Sequence, residues 1–189
     1  MTAVTFVCIS LVGLVDIVTR PSVDRNKTLF QKQAVCDASA TVLSGDLAAW
    51  YDANVTVVTN AADGPYYLVN GGDGVSRLVL IQQGPGLWGS ITAYVGFNRK
   101  TAVIEGVTFQ DHVETPGLGA RIDEPWFRHQ FAGKTGPFNE LRPEPQDKTK
   151  GTRDAGAFDQ ITGATITASA VKDIMNKSIE RAKALNAAR

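Results

Sequence analysis

The first fifteen residues, Met1 to Val15 (MTAVTFVCISLVGLV), carry no charged side chain. Ile17 and Val18 extend this apolar run past Asp16, and Arg20-Pro21 ends it. A membrane-spanning helix needs about 20 apolar residues, with a lower limit of about 17, so the run lies at the edge of that length. The core helix of a soluble domain keeps a polar face, and this run has almost none. A cleaved leader has a basic start and a small-residue cleavage site, and neither is visible. Residues 1–19 are therefore read as an uncleaved membrane anchor, which further chain ahead of Met1 would lengthen.

Arg20, Arg25, Lys27 and Lys32 come after the run and no basic residue precedes it. Taken alone, that asymmetry places the rest of the chain on the cytoplasmic side. Residues 20–49 are polar and mixed, with Val23, Leu29, Ala34 and Val35 at weak helical spacing, and read as a stalk or linker helix. The pattern changes near Tyr51, so a globular unit is expected over 50–189. Val55-Thr-Val-Val-Thr59 is β-branched and runs into the turn residues Asn60 to Gly64. Tyr66 to Val69 and Arg77 to Gln82, joined by Gly71-Gly-Asp-Gly74, read as a hairpin. Ser90 to Phe97 and Ala102 to Gln110 add two more strands. Glu124 to Phe131, with Pro125 in its first turn, reads as a short helix. Gly133 to Phe158 reads as one long loop, and so long an irregular stretch is functional or mobile. Val171, Ile174, Met175, Ile179 and Ala182 then mark an amphipathic C-terminal helix. The fold class is α+β: an antiparallel β-sheet with flanking helices, preceded by one membrane helix.

Composition removes several function classes. Lys plus Arg and Asp plus Glu both number 19, and no basic cluster interleaved with aromatics occurs, so nucleic acid is not an expected partner. Cys8 and Cys36 read as free thiols, and with only His112 and His129 there is no Cys/His spacing for a metal. The elbow G-x-S-x-G is absent and no nucleophile–base set stands out, so no catalytic residue is assigned.

Three glycine- or threonine-rich segments hold the remaining information. Gly84-Pro-Gly-Leu-Trp-Gly89 matches G-x-G-x-x-G, but a strand pattern comes after it where that fingerprint needs a helix N-terminus. It reads as a turn from which Trp88 projects. In His112-Val-Glu-Thr-Pro-Gly-Leu-Gly119, Thr115-Pro-Gly117 fits a tight turn. The flanking Gly117 and Gly119 allow a flat ligand close to the backbone beside Leu118. Glu114 is placed to accept a hydrogen bond from a ring N–H or a ribityl hydroxyl, and a plain turn with a solvated Glu fits the residues equally. Asp159-Gln-Ile-Thr-Gly-Ala-Thr-Ile-Thr167 runs straight into the last helix. Thr162, Thr165, Thr167 and Ser169 crowd a helix start, where backbone N–H groups and the dipole favour an anion. Gly163 and Ala164 leave Thr165 uncovered. Threonine N-capping explains one such hydroxyl but not four.

Asp159 to Thr165 resembles the flavinylation motif D-x-x-(S/T)-G-A-T, with Thr162 where Ser is common. Together with Glu114-Thr-Pro-Gly-Leu-Gly119 and Gly86-Leu-Trp-Gly89, it resembles the FMN-binding domain found in two related proteins. These are the C subunit of the Na+-translocating NADH:quinone oxidoreductase and the G subunit of the Rnf electron-transport complex. The short chain leans towards the second, and Gly-Leu-Trp-Gly towards the first. The resemblance implies FMN esterified through its phosphate to Thr165, attached from FAD by a separate flavin transferase. It implies Trp88, Leu118 and the backbone around Thr115 along the isoalloxazine, with Glu114, Gly117 and Gly119 in the same segment. Thr162, Gly163, Ala164, Ile166, Thr167 and Asp159 would belong to the phosphate end. It further implies an electron-carrier subunit, not a catalyst alone, partnered by other subunits of a membrane redox complex. Its domain would lie on the outer, periplasmic side of the cytoplasmic membrane, opposite to the charge asymmetry. Two other readings stand beside it: an anchored binding or assembly module without cofactor, and a stand-alone flavoprotein reductase.

Overall fold

The chain begins with a single helix, α1 (Thr2–Ala38), 37 residues long. At 1.5 Å per residue it extends about 55 Å. The structure, a computed structural model, describes residues 2–43, 45–59, 64–149 and 154–187. Helix α1 does not stop where the apolar run stops: Pro21 sits inside it. Proline removes one i→i−4 hydrogen bond but leaves the turns on either side able to continue. The first half is apolar all round, with Phe6, Ile9, Leu14 and Ile17 all exposed. The helix is long and apolar enough to cross a membrane, its best 18-residue window having a mean hydropathy of 1.7 with none of that window buried.

The last turns of α1 belong to the globular unit. Ala34, Val35 and Ala38 pack with Tyr67, Val69, Val79 and Tyr94 on one face of a sheet. A short helix, α2 (Leu47–Asn54), comes next, capped by the Asp46 carboxylate accepting from the Ala49 amide at 2.9 Å. The sheet is a five-stranded antiparallel meander in chain order: β1 (Val55–Val58), β2 (Tyr66–Asn70), β3 (Ser76–Pro85), β4 (Ser90–Asn98) and β5 (Ile104–Gln110). The turn expected at 60–64 lies outside the described residues except for Gly64.

Alternation assigns the two faces of the sheet. Along β4, Ile91, Ala93, Val95 and Phe97 enter the large core, while Tyr94 turns to α1. Such a period of two is what a sheet covered on both sides requires. The large core is closed by α4 (Thr165–Ala187), through Val171, Ile174, Met175 and Ile179. Beside it packs a cluster of Phe127, Phe131, Phe138 and Phe158, whose rings meet mostly edge to face.

Between β5 and α4 come a 3₁₀ turn (Gly119–Asp123) and α3 (Pro125–His129), shorter than the helix expected over 124–131. The stretch 133–158, expected as one loop, contains β6 (Glu140–Arg142) and pairs it in parallel with β7 (Ala157–Asp159). Residues 150–153 of that stretch lie outside the described residues. Three-residue strands show no periodicity, and burial of Phe138 and Phe158 is what draws them in.

Helix α1 and β5 run side by side in opposite directions. The Ala38 carbonyl lies over Gly106, and four residues on the Gln110 side chain donates to the Phe30 carbonyl at 2.7 Å. Eight residues of helix span about 12 Å and four of strand about 13 Å, so the two pairs match. The C-terminal end of β5, from which segment 112–119 leads off, therefore points back along α1 towards its apolar half.

Candidate functional site

That end of the sheet gathers all three segments singled out in the sequence. The β3–β4 connection is a tight turn closed by the Gly86 amide donating to the Gly89 carbonyl at 2.7 Å. It leads into a strand, so the G-x-G-x-x-G spacing is a hairpin. Trp88 stands out from it, 69% exposed, with its indole N–H donating to the Thr115 hydroxyl at 3.1 Å.

Glu114 ties the three segments together. One carboxylate oxygen accepts from the Leu87 amide at 2.8 Å and more weakly from the Trp88 amide; the other accepts from the Thr167 hydroxyl at 2.6 Å. Only 5% of the residue is exposed. A buried carboxylate costs several kcal/mol unless donors meet it, and here they do. Its oxygens serve protein donors, whereas the sequence suggested a hydrogen bond to the ligand. Space for it exists because Gly86 and Gly119 have no side chain: a Cβ at either would run into a Glu114 oxygen. Gly117 has φ +75°, as the Thr-Pro-Gly turn anticipates, and Leu118 closes that turn by donating to the Thr115 carbonyl.

The third segment turns at Thr162-Gly163. The Ala164 amide donates to the Ile161 carbonyl at 3.0 Å, and Gly163 has φ +78°. Helix α4 starts directly afterwards at Thr165. The residue before it, Ala164, has no side-chain acceptor, and Thr167 spends its hydroxyl on Glu114. Among the described residues, no threonine caps this helix. Among the described residues, no protein acceptor meets the amides of Thr165, Ile166 or Thr167. These open N–H groups, with the dipole of a 23-residue helix behind them, suit a phosphate. The Thr165 side chain is exposed beside them.

Around Thr165 lies an apolar collar. Ile166 is 60% exposed and Leu118 is 43% exposed; Leu118 packs so close to the turn that a Cβ on Gly163 would touch it. Leu87 and Val113, which the sequence did not single out, are exposed in the same segments. The collar is a surface and not a cavity, suited to one face of a flat aromatic ring. Thr162 and Gly163 are exposed, whereas Ala164 and Thr167 are buried. Asp159 is buried beneath the turn, its backbone N–H and C=O both bonded to the Gln130 amide.

A second polar cluster flanks the turn. Arg121 pairs with Glu124 and, at 2.6 Å, with Glu144; the Lys148 ammonium lies near both carboxylates and over the Trp126 ring. The Arg121 guanidinium, helped by the Thr162 amide, overcomes burial and holds the Glu144 carboxyl down at about 2. Glu124 is lowered chiefly by the same guanidinium. Spacing in the chain offered no signal for this cluster.

Comparison with known proteins fits this geometry. The FMN-binding domain model matches residues 86–180, just over half of the chain. The Na+-translocating NADH-quinone reductase C subunit of Vibrio vulnificus (strain YJ016) is 32% identical over 163 residues, covering 84% of this chain and 62% of that protein. The protein of the same name in Yersinia pestis is 35% identical over 114 residues, covering 58% of this chain and 42% of that protein. This chain thus spans less than two thirds of the length of these relatives. In fold it is similar to the crystal structure of the same reductase component from Parabacteroides distasonis, with TM-score 0.67 and 23% identity over 85% of this chain and 92% of that one. Shewanella oneidensis NqrC gives TM-score 0.68 and 19% identity over 85% and 99%. The family match begins at the Gly86 turn and runs through Glu114 and Thr165 into α4, the three segments that converge here: the chain belongs to the FMN-binding domain family.

Proposed function

We propose that this chain carries FMN as a phosphoester on Thr165 and relays electrons within a membrane-bound, Na+-translocating NADH-quinone reductase type of complex. The observation that carries the reading is the exposed Thr165 hydroxyl beside helix amides that no group among the described residues caps. The amides of Thr165, Ile166 and Thr167 would hold an esterified phosphate, and Trp88, Leu118 and Ile166 would line the ring. In attachment, the Thr165 oxygen bonds to the flavin-side phosphorus of FAD, the pyrophosphate bond breaks, AMP leaves, and the hydroxyl proton passes to water. A separate flavin transferase performs this step on an accessible threonine.

When bound, FMN supplies the electron chemistry; the protein supplies position and surroundings. Glu114 holds the Leu87–Trp88 turn and the α4 start in fixed relation, while Gly117 and Gly119 bring the backbone close to the ring. Covalent attachment suits a carrier site open to solvent, where a cofactor held by contacts alone is lost by dilution. The apolar half of α1 anchors the chain in the cytoplasmic membrane. The flavin domain sits on the outer face, with its flavin end turned back towards the bilayer and the partner subunits within it. The names of the relatives favour the quinone-reductase type over the Rnf type.

Intact mass and in-gel fluorescence of the denatured protein, co-expressed with a flavin transferase, test this. The expected result is a gain of about 440 Da, mapped to the peptide containing Thr165 and abolished in Thr165→Val. An unmodified chain despite an active transferase would refute it and favour an anchored binding module.

A further inference from the structure

The proline-bearing loop after β6 is separate from the three flavin-site segments, yet one of its side chains reaches into the flavinylation turn. Strands β6 and β7 pair in parallel, Arg142 opposite Asp159, and the Gln160 amide extends the ladder by donating to the Arg142 carbonyl at 2.8 Å. Two residues further along each chain segment, Glu144 and Thr162 come together, and the Thr162 amide donates to the Glu144 carboxylate at 2.8 Å. Pro143 and Pro145 bracket Glu144: a proline fixes its own φ, and the residue before one is restricted to extended conformations. The carboxylate is thus presented by a stiff segment, and its side chain is only 13% exposed.

The same carboxylate accepts two hydrogen bonds from Arg121, at 2.6 and 3.1 Å. Arg121 lies three residues after Leu118, to whose carbonyl its own amide donates at 3.0 Å. Glu144 therefore links the two lips of the site, the Leu118 segment and the Thr162-Gly163 turn, through partners that Glu114 does not touch.

We propose that Glu144 is a positioning residue for flavin attachment: through the Thr162 amide and Arg121 it clasps the acceptor turn in the conformation a flavin transferase recognises. This rests on the reading of Thr165 as the flavin acceptor. Without the clasp the turn samples other conformations, and only the competent fraction binds. Apparent affinity falls by that fraction, whereas the chemical step, once the complex forms, is unchanged.

The test uses the full chain in detergent, with FAD and a flavin transferase, comparing wild type with Glu144→Ala and Glu144→Gln. In the apoprotein, amide exchange at Thr162 should accelerate about tenfold in Glu144→Ala, the loss expected for one charge-assisted hydrogen bond. The transferase KM for this acceptor should rise about tenfold with kcat within about twofold. Glu144→Gln keeps an acceptor oxygen for the Thr162 amide and should recover part of both changes. Unchanged exchange and KM in Glu144→Ala, or a fall in kcat at constant KM, would overturn the proposal. If Glu144→Ala shows no cooperative unfolding, the same two readouts in Glu144→Gln decide. A wild-type chain that accepts no flavin also overturns it, and is told apart because the failure precedes any substitution.

Discussion

The sheet is gripped at two places by close approach to glycine, and the two contacts work on different physics. Where α1 lands, Gly96 and Gly106 receive a backbone: a Cβ on either would collide with the Ala38 carbonyl. Around it the partners are apolar, Ala34, Val35, Val69 and Val79. At the candidate site, Gly86 and Gly119 make room for a carboxylate, and what surrounds Glu114 is a set of donors. The first contact is held by exclusion of water and depends on shape. The second is held by hydrogen bonds to a buried charge and depends on every donor being present. A joint of the first kind carries the long apolar helix; one of the second sets the relative placement of the three loops that form the candidate site.

The contrast is broken or sharpened most strongly at Glu114. Glu114→Ala strips two segments of their shared acceptor and should destabilise the domain by about 3 kcal/mol, with flavin loading of Thr165 lost in parallel. Urea unfolding alongside in-gel fluorescence measures both. A variant that loads normally would show that the three loops hold one another without the carboxylate. Next in size is Gly96→Ala, which overpacks the α1 joint and should cost about 2 kcal/mol in the same unfolding assay while leaving flavin loading intact. Loss of loading in that variant would mean that the two ends are coupled and the division is false.

The smallest effect concerns acid. Glu144 has its carboxyl held at about 2, below the ordinary value of 4.5, chiefly by Arg121. A carboxyl lowered in the folded state contributes stability that is complete above about 4.5 and is lost as pH falls through that value towards 2. Arg121, Lys148, Glu124 and the Thr162 amide are the groups that face it. Unfolding midpoints across this window should fall less steeply in Glu144→Gln than in wild type, by on the order of 1 kcal/mol. Parallel slopes would remove Glu144 from the account of acid stability.

Much of the fold is legible along the chain. The β-branched and apolar runs between turn residues from Tyr66 to Gln110 mark β2 to β5 to within three residues at each end, because turn chemistry and strand composition are local properties. Gly117 and Gly163 fall at positive φ, as turn chemistry implies for the first. The threonine-rich segment places Thr165 at the start of the last helix, as expected. Along the chain Glu114 reads equally as a ligand contact or as a solvated turn residue; its partners in the fold, Leu87 and Thr167, lie 27 and 53 residues away. No pattern within a window reaches so far. The same holds for Glu144, whose partners are 18 and 23 residues distant.

Residue order settled whatever depends on neighbours: the apolar run, the strand alternation, the turns and the threonine-rich helix start. Pro21 ends the apolar run, and the composition does change there, but the helix continues because a single lost hydrogen bond does not stop those on either side. Tertiary packing alone decided which carboxylates became buried struts and which helix amides stayed uncapped. It also turned the candidate-site end of the sheet back along α1. These outcomes depend on which donors meet across the fold, and a burial cost is incurred only once distant segments have closed around the charge.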